Sequence, residues 1–218
     1  MFLKKCILIT GLLAVLLLSG CGVWDKPQPS KYFHVVSPAV RNAQLAKIRF
    51  FRLDGEFSIQ QPMKLPQMAD FNWKQFGSKA YSINFTSTLG LFSAEIYYQF
   101  GYVELWKNGT HVSKAKTPER LMQKAFGWSL PISPMSSWVK GMPAKNAGYY
   151  EARYDCFGHL ISLRQAGWVL HYNAYKNNDD GVDFPQVILM SRPGLQIKIV
   201  ITDWLLFMRR DPIPDAIT

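Results

Sequence analysis

Phe51-Arg52-Leu53-Asp54-Gly55-Glu56-Phe57-Ser58-Ile59-Gln60 decides the fold, because Phe51, Leu53, Gly55, Phe57 and Ile59 alternate with Arg52, Asp54, Glu56, Ser58 and Gln60. Successive side chains of an extended chain point to opposite faces, so the stretch reads as a strand with one apolar and one solvated side. One-sided strands belong to antiparallel sheets; the strands of parallel sheets are covered on both faces. The same period of two recurs on either side of a turn-like Thr88-Leu89-Gly90. Tyr81, Ile83 and Phe85 precede it; Phe92, Ala94, Ile96 and Tyr98 follow it. Further strands are predicted at 103–106, ahead of the turn dipeptide Asn108-Gly109, and at 149–156, 160–164 and 168–173. The last comprises Leu195, Ile197, Ile199 and Ile201, after Pro193-Gly194. Short, closely spaced strands predict a meandering antiparallel sheet or barrel. Residues 61–67, with Pro62 and Pro66, read as an irregular hairpin connection.

Three helices are predicted around this meander. Ser37-Pro38 supplies an N-cap and a first-turn proline, with Val40, Ala43, Leu45, Ala46 and Ile48 as the apolar face. Thr117-Pro118-Glu119 opens a second helix carrying Leu121, Met122, Ala125 and Phe126. Ser133-Pro134 opens a third, with Met135, Trp138 and Val139, closed by Gly141 and Pro143. A curved sheet has one concave apolar face, and helices inserted halfway along the meander are placed to cover it.

The chain begins with a basic Lys4-Lys5, an uncharged run from Cys6 to Leu18, and Leu18-Ser19-Gly20-Cys21. This is the pattern of a secretory signal over residues 1–20, and it is too short to span a bilayer. The final four residues resemble a bacterial lipobox, which implies a diacylglyceryl and an N-acyl chain on Cys21 and no other cofactor. Gly22 stands where an inner-membrane retention signal would place aspartate, so the expected address is the outer membrane, with the domain facing the periplasm. Residues 21–36 read as the lipidated N-terminus and tether, 37–206 as the domain and 207–218 as a C-terminal tail. Cys156 is then the one cysteine left in the domain, and its place in the alternation Tyr150, Ala152, Tyr154 predicts a small buried residue.

With 218 residues, 48% hydrophobic content and a mean hydropathy of -0.05, the chain suits one domain and excludes a polytopic membrane protein. Loss of Lys4 and Lys5 leaves 23 basic against 15 acidic residues, an excess of +8. In a periplasmic setting nucleic acid is excluded as a partner, and the excess reads as serving an acidic protein partner, an anionic membrane surface, or solubility alone. His34, His111, His159 and His171 show no metal-ligand spacing. There is no nucleophile elbow or phosphate-binding glycine loop. Asp179-Asp180-Gly181-Val182-Asp183 reads as a solvated turn. No catalytic residues are therefore assigned. Seven Trp, fourteen Phe, ten Tyr and eight Met could line a space for acyl chains or simply fill a core.

The order of several motifs separates these readings. Phe51-Arg52-Leu53, Phe71-Asn72-Trp73-Lys74-Gln75, Tyr81 to Leu89-Gly90, Gly127-Trp128 to Ile132, and Trp138-Val139-Lys140-Gly141-Met142-Pro143 together resemble the LolB family of outer-membrane lipoprotein receptors. Trp168-Val169 and Ile197 to Trp204 fit the same template. The resemblance implies a half-open antiparallel β-barrel of about 11 strands, with a helical lid over a hydrophobic cavity, as in the carrier LolA. It implies a monomer that accepts lipoproteins from a LolA-like periplasmic carrier and inserts them into the outer membrane, without covalent catalysis or ATP. The acyl chains of the cargo are its ligands, and Trp73, Trp138, Trp168 and Trp204 are cavity candidates. Leu89 matches a leucine that projects from a loop toward the membrane. A structural outer-membrane lipoprotein with a packed core, acting as an assembly scaffold, is the competing expectation.

Overall fold

A computed structural model describes residues 33–78, 80–87, 90–126 and 129–207. Eleven strands form one antiparallel sheet: β1 (Phe50–Gln60), β2 (Gln67–Phe76), β3 (Ala80–Ser87), β4 (Ser93–Gln99), β5 (Tyr102–Lys107), β6 (Thr110–Ala115), β7 (Tyr150–Tyr154), β8 (Leu160–Gln165), β9 (Trp168–Asn177), β10 (Asp183–Arg192) and β11 (Leu195–Leu206). Their order is β6-β5-β4-β3-β2-β1-β11-β10-β9-β8-β7, so the first strand pairs with the last and β6 and β7 remain as edges. The sheet is a meander that does not close.

β1 alternates as its sequence predicts, with Phe51, Leu53 and Ile59 buried and Glu56 and Gln60 exposed. Gly55 has a specific reason to be glycine. The β1–β11 register slips between Asp54↔Asp203 and Gly55↔Ile201, and a Cβ at 55 would collide with the Val200 carbonyl oxygen and lie 3.0 Å from the Phe71 ring. The bulge leaves Thr202 unopposed, and its hydroxyl donates to the Asp54 carbonyl at 3.1 Å.

Among the described residues three helices accompany the sheet: α1 (Pro38–Lys47), α2 (Pro118–Phe126) and α3 (Ile132–Trp138). Ser37 caps α1 as read from the sequence. The third helix begins at Ile132, ahead of the Ser133 expected to cap it, because its first-turn donor is satisfied from outside: Glu119 of α2 accepts from the Ser133 N–H at 3.2 Å. One apolar cluster joins β1–β5 and β8–β11 to Leu121 and Met122 of α2 and to Ile132, Met135 and Trp138 of α3. The inserted helices thus complete the core against the concave face.

Three expectations are corrected. The inward face of α1 carries Arg41 and Leu45, while Val40 is exposed. Asp183 leaves the acidic turn and is buried at the start of β10, where Arg41 pairs with its carboxylate at 3.4 Å and donates to its carbonyl. Cys156 is exposed, in the turn after β7, where the chain has left the strand alternation.

The Arg41–Asp183 pair belongs to a network. His159 places Nδ1 2.9 Å from Asp155 and Nε2 3.2 Å from Asp183, stacks on Tyr175 at 4.2 Å, and Asn177 donates to Asp183 at 2.7 Å. Burial pushes the Asp183 carboxyl up, but the bonds from His159 and Asn177 and the Arg41 charge together hold it below the usual carboxylate range. A lowered folded-state pKa gives stability that is present above the unfolded value of about 4 and is lost as pH falls through the folded one. Asp183→Asn should therefore lower the melting temperature at pH 7 and flatten the loss of stability as the pH falls below about 4, as read by thermal unfolding across the acid range.

Candidate functional site

The space between the concave face and the segment running from α2 to Ala144 is the candidate site. At its centre lies an entirely apolar cavity of about 30 Å³, walled by Phe57, Phe71, Trp73, Ile83 and Phe85 of the sheet, by Leu130, Ile132, Met135 and Val139 of the lid, and by Ile197 and Ile199. That is room for one or two molecules the size of water.

The lid is built for a definite seat and has room beside it. Gln165, almost fully buried at the end of β8, accepts from Trp138 Nε1 at 2.8 Å and from the Ala144 N–H at 2.9 Å, and donates to the Ala144 carbonyl at 2.8 Å. Gly141 turns the chain after α3 with φ +77°, and a Cβ there would meet the Tyr175 hydroxyl at 2.6 Å. Open clefts of about 380 and 400 Å³ flank α3, both bordered by Ser133, Ser136 and Lys140.

The tryptophans named from the sequence occupy different places. Trp73 lines the apolar cavity and donates to Gln75 at 3.0 Å. Trp138 is buried in the lid, held by Gln165. Trp168 is buried in the core beneath the Arg192 guanidinium, 4.7 Å from its ring centroid. Trp204 is half-buried and stacks on Phe184 at 4.0 Å, in contact with both apolar clusters. Cys21, Leu89 and Trp128 lie outside the described residues. The loop holding Leu89 is pinned at its base by Ser87, whose N–H donates to the Phe92 carbonyl at 2.9 Å and whose hydroxyl accepts the Phe92 N–H at 3.1 Å.

The larger-volume polarity of the site is set by Lys140, buried after α3. Its Nζ donates to the Ile48 carbonyl at 2.9 Å, and burial, with a smaller contribution from nearby Arg49, pulls its pKa down to about 8. Tyr81 has a buried hydroxyl without a hydrogen-bond partner; burial first, and then the Glu119 charge, raise its pKa, so it stays a neutral donor.

The family model described as "Outer membrane lipoprotein LolB" matches residues 49–204, most of the chain. The chain belongs to the LolB family. The LolB protein of Coxiella burnetii is 38% identical over 202 residues, covering 92% of this chain and 93% of its own length. That of Nitrosococcus oceani is 30% identical over 204 residues, covering 94% of this chain and all of its own. A LolA superfamily protein from Nitrosomonas europaea shares the fold at a TM-score of 0.52 and 10% identity, covering 83% of this chain and 96% of that one. The half-open barrel expected of a LolB chain is thus the observed architecture.

Gln165 and Glu119 are site residues that the sequence reading missed. Nothing local marks either one, since Gln165 closes a strand of ordinary alternation and its partners lie 21 and 27 residues away. Gln165→Leu should keep the shape but leave Trp138 Nε1 and the Ala144 backbone unbonded, costing roughly 2–3 kcal/mol in urea unfolding. Amide exchange should then speed up across residues 132–144 more than across β1.

Proposed function

We propose that this LolB chain is anchored through acylated Cys21 to the outer membrane, accepts lipoproteins from a LolA-like periplasmic carrier, holds their acyl chains under the lid and releases them into the bilayer. The observation that carries the reading is a family member whose central cavity is lined by apolar residues alone, beneath a lid with space on both sides. The physical need is large. At about 0.8 kcal/mol per methylene, exposing one roughly sixteen-carbon chain to water costs on the order of 12 kcal/mol. Passing chains from one apolar site to another nearly cancels that cost, so small affinity differences set the direction without ATP or a covalent step.

Delivery needs a surface that meets lipid. Register pairs Ala69 with Ser87, which sets the β1–β2 and β3–β4 connections side by side at one end of the sheet. Met63 and Leu65 at the first tip, Met68 beside them and Leu91 in the second connection are all exposed. Lys64 adds a positive charge between the first two. Leu89 belongs to the same connection as Leu91. Burial of such a side chain contributes roughly 1.5–3 kcal/mol, enough to bias approach and too little to anchor the domain.

The nearly filled core also suits the competing reading, a packed lipoprotein scaffold that binds an assembly partner. Cargo acceptance separates them. A soluble Cys21→Ala form mixed with a carrier holding labelled lipoprotein should take up the label, and failure to do so would leave the scaffold reading. Leu89→Glu should accept cargo normally yet insert it into liposomes several-fold more slowly; normal insertion would remove Leu89 from the mechanism.

A further inference from the structure

The cleft of about 380 Å³ on one side of α3 is not a simple continuation of the apolar cavity. Its wall holds three cations from three parts of the chain, Arg49 ahead of β1, Lys116 ahead of α2 and Lys140 after α3. None of them takes part in an ion pair of the described residues; Arg49 donates to the Ser78 hydroxyl at 3.3 Å and Lys140 to the Ile48 carbonyl. Lys140 is only 7% exposed, and a buried cation without a counter-charge is costly unless an anion accompanies it. Its lowered pKa has the same origin, desolvation and the like charge of Arg49. Tyr81 borders the cleft as well, with its buried hydroxyl unpartnered and available to donate. These groups supply positive charge and a donor in a cleft whose lining holds no acid; Glu119, whose charge reaches Tyr81, stands behind it and accepts from the Ser133 N–H.

The floor of the cleft is apolar and leads inward. Trp73 and Ile132 line both the cleft and the central cavity, so a chain passing between them runs from the basic mouth to the apolar interior. A small inorganic anion would use the mouth and waste this path. We propose that the cleft binds an anionic amphiphile, with its phosphate or carboxylate head against Arg49, Lys116, Lys140 and the Tyr81 hydroxyl, and a single acyl chain directed past Trp73 and Ile132 under the lid. Such a ligand occupies the apolar space between deliveries and leaves when cargo chains enter. Its displacement by cargo rests on the receptor reading, whereas its binding requires neither carrier nor cargo, so the failure of one is distinguishable from the failure of the other.

The test is calorimetric titration of the soluble domain with lauroyl lysophosphatidylglycerol below its micelle concentration, beside monolauroylglycerol, which has the same chain and no charge, and inorganic phosphate. The charged lipid should bind about tenfold or more tightly than the neutral one, and inorganic phosphate should bind more weakly than either. Arg49→Gln with Lys116→Gln, both at exposed positions, should remove most of that preference while monolauroylglycerol binding and the melting temperature stay unchanged. Lys140→Met should remove it too, and if that variant fails to fold the exposed pair still decides. Equal binding of charged and neutral lipid, or a preference that survives the double substitution, would overturn the proposal. Inorganic phosphate binding as tightly as the lysolipid would assign the cleft to a free anion and overturn the amphiphile.

Discussion

An unclosed sheet with an apolar concave face must be covered, and everything else in this molecule depends on how that is done. Closing the barrel through β6 and β7 would pair the edges but leave the interior reachable only from its ends. The chain instead inserts α2 and α3 between those same two strands and lets Leu121, Met122, Ile132, Met135 and Trp138 finish the core. On the proposed function, the residues that stabilise the empty state are therefore those that have to leave when acyl chains arrive. Core and gate are one element, and the residual cavity of about 30 Å³ measures how completely the gate fills the site.

Apolar packing alone would seat such a lid in many registers, because hydrophobic burial has no preferred direction. Polar contacts choose one. Gln165 fixes the C-terminal end of α3 through Trp138 and Ala144, and Glu119 fixes its start through Ser133. On the other side of the sheet's seam, Arg41, Asp183 and His159 fix α1 against β8 and β10. The bonds at α3 are specific in geometry and small in net contribution, which suits a seat that, on the proposed function, must also be vacated.

The sequence made the one-sided strands legible because period-two alternation is a local signal: β1 and β11 appear at their predicted positions, as do the turns Asn108-Gly109 and Pro193-Gly194. Three strands were missed for identifiable reasons. β2 has Gln75 on its buried face, β10 carries Pro185 near its start, and the edge strand β6 has no buried residue to pattern. Arg41 had no place in the predicted buried face of α1, because the carboxylate that makes its burial tolerable is 142 residues away. Cys156 was read as buried because the alternation was extended one turn past the end of β7. In the site, Trp73 could be singled out by its motif; the convergence of Arg49, Lys116 and Lys140 could not, since only the folded chain brings those three segments to one cleft.

On the proposed function, acyl chains enter by displacing α3 from the concave face. Pulsed electron–electron distance measurement tests it directly, with spin labels at Ser133→Cys on the exposed side of α3 and Lys198→Cys on the solvated face of β11, in a Cys156→Ser background. Loading the domain with acylated lipoprotein should replace the single distance of the empty state by a longer one. An unchanged distance distribution in fully loaded protein would contradict the claim.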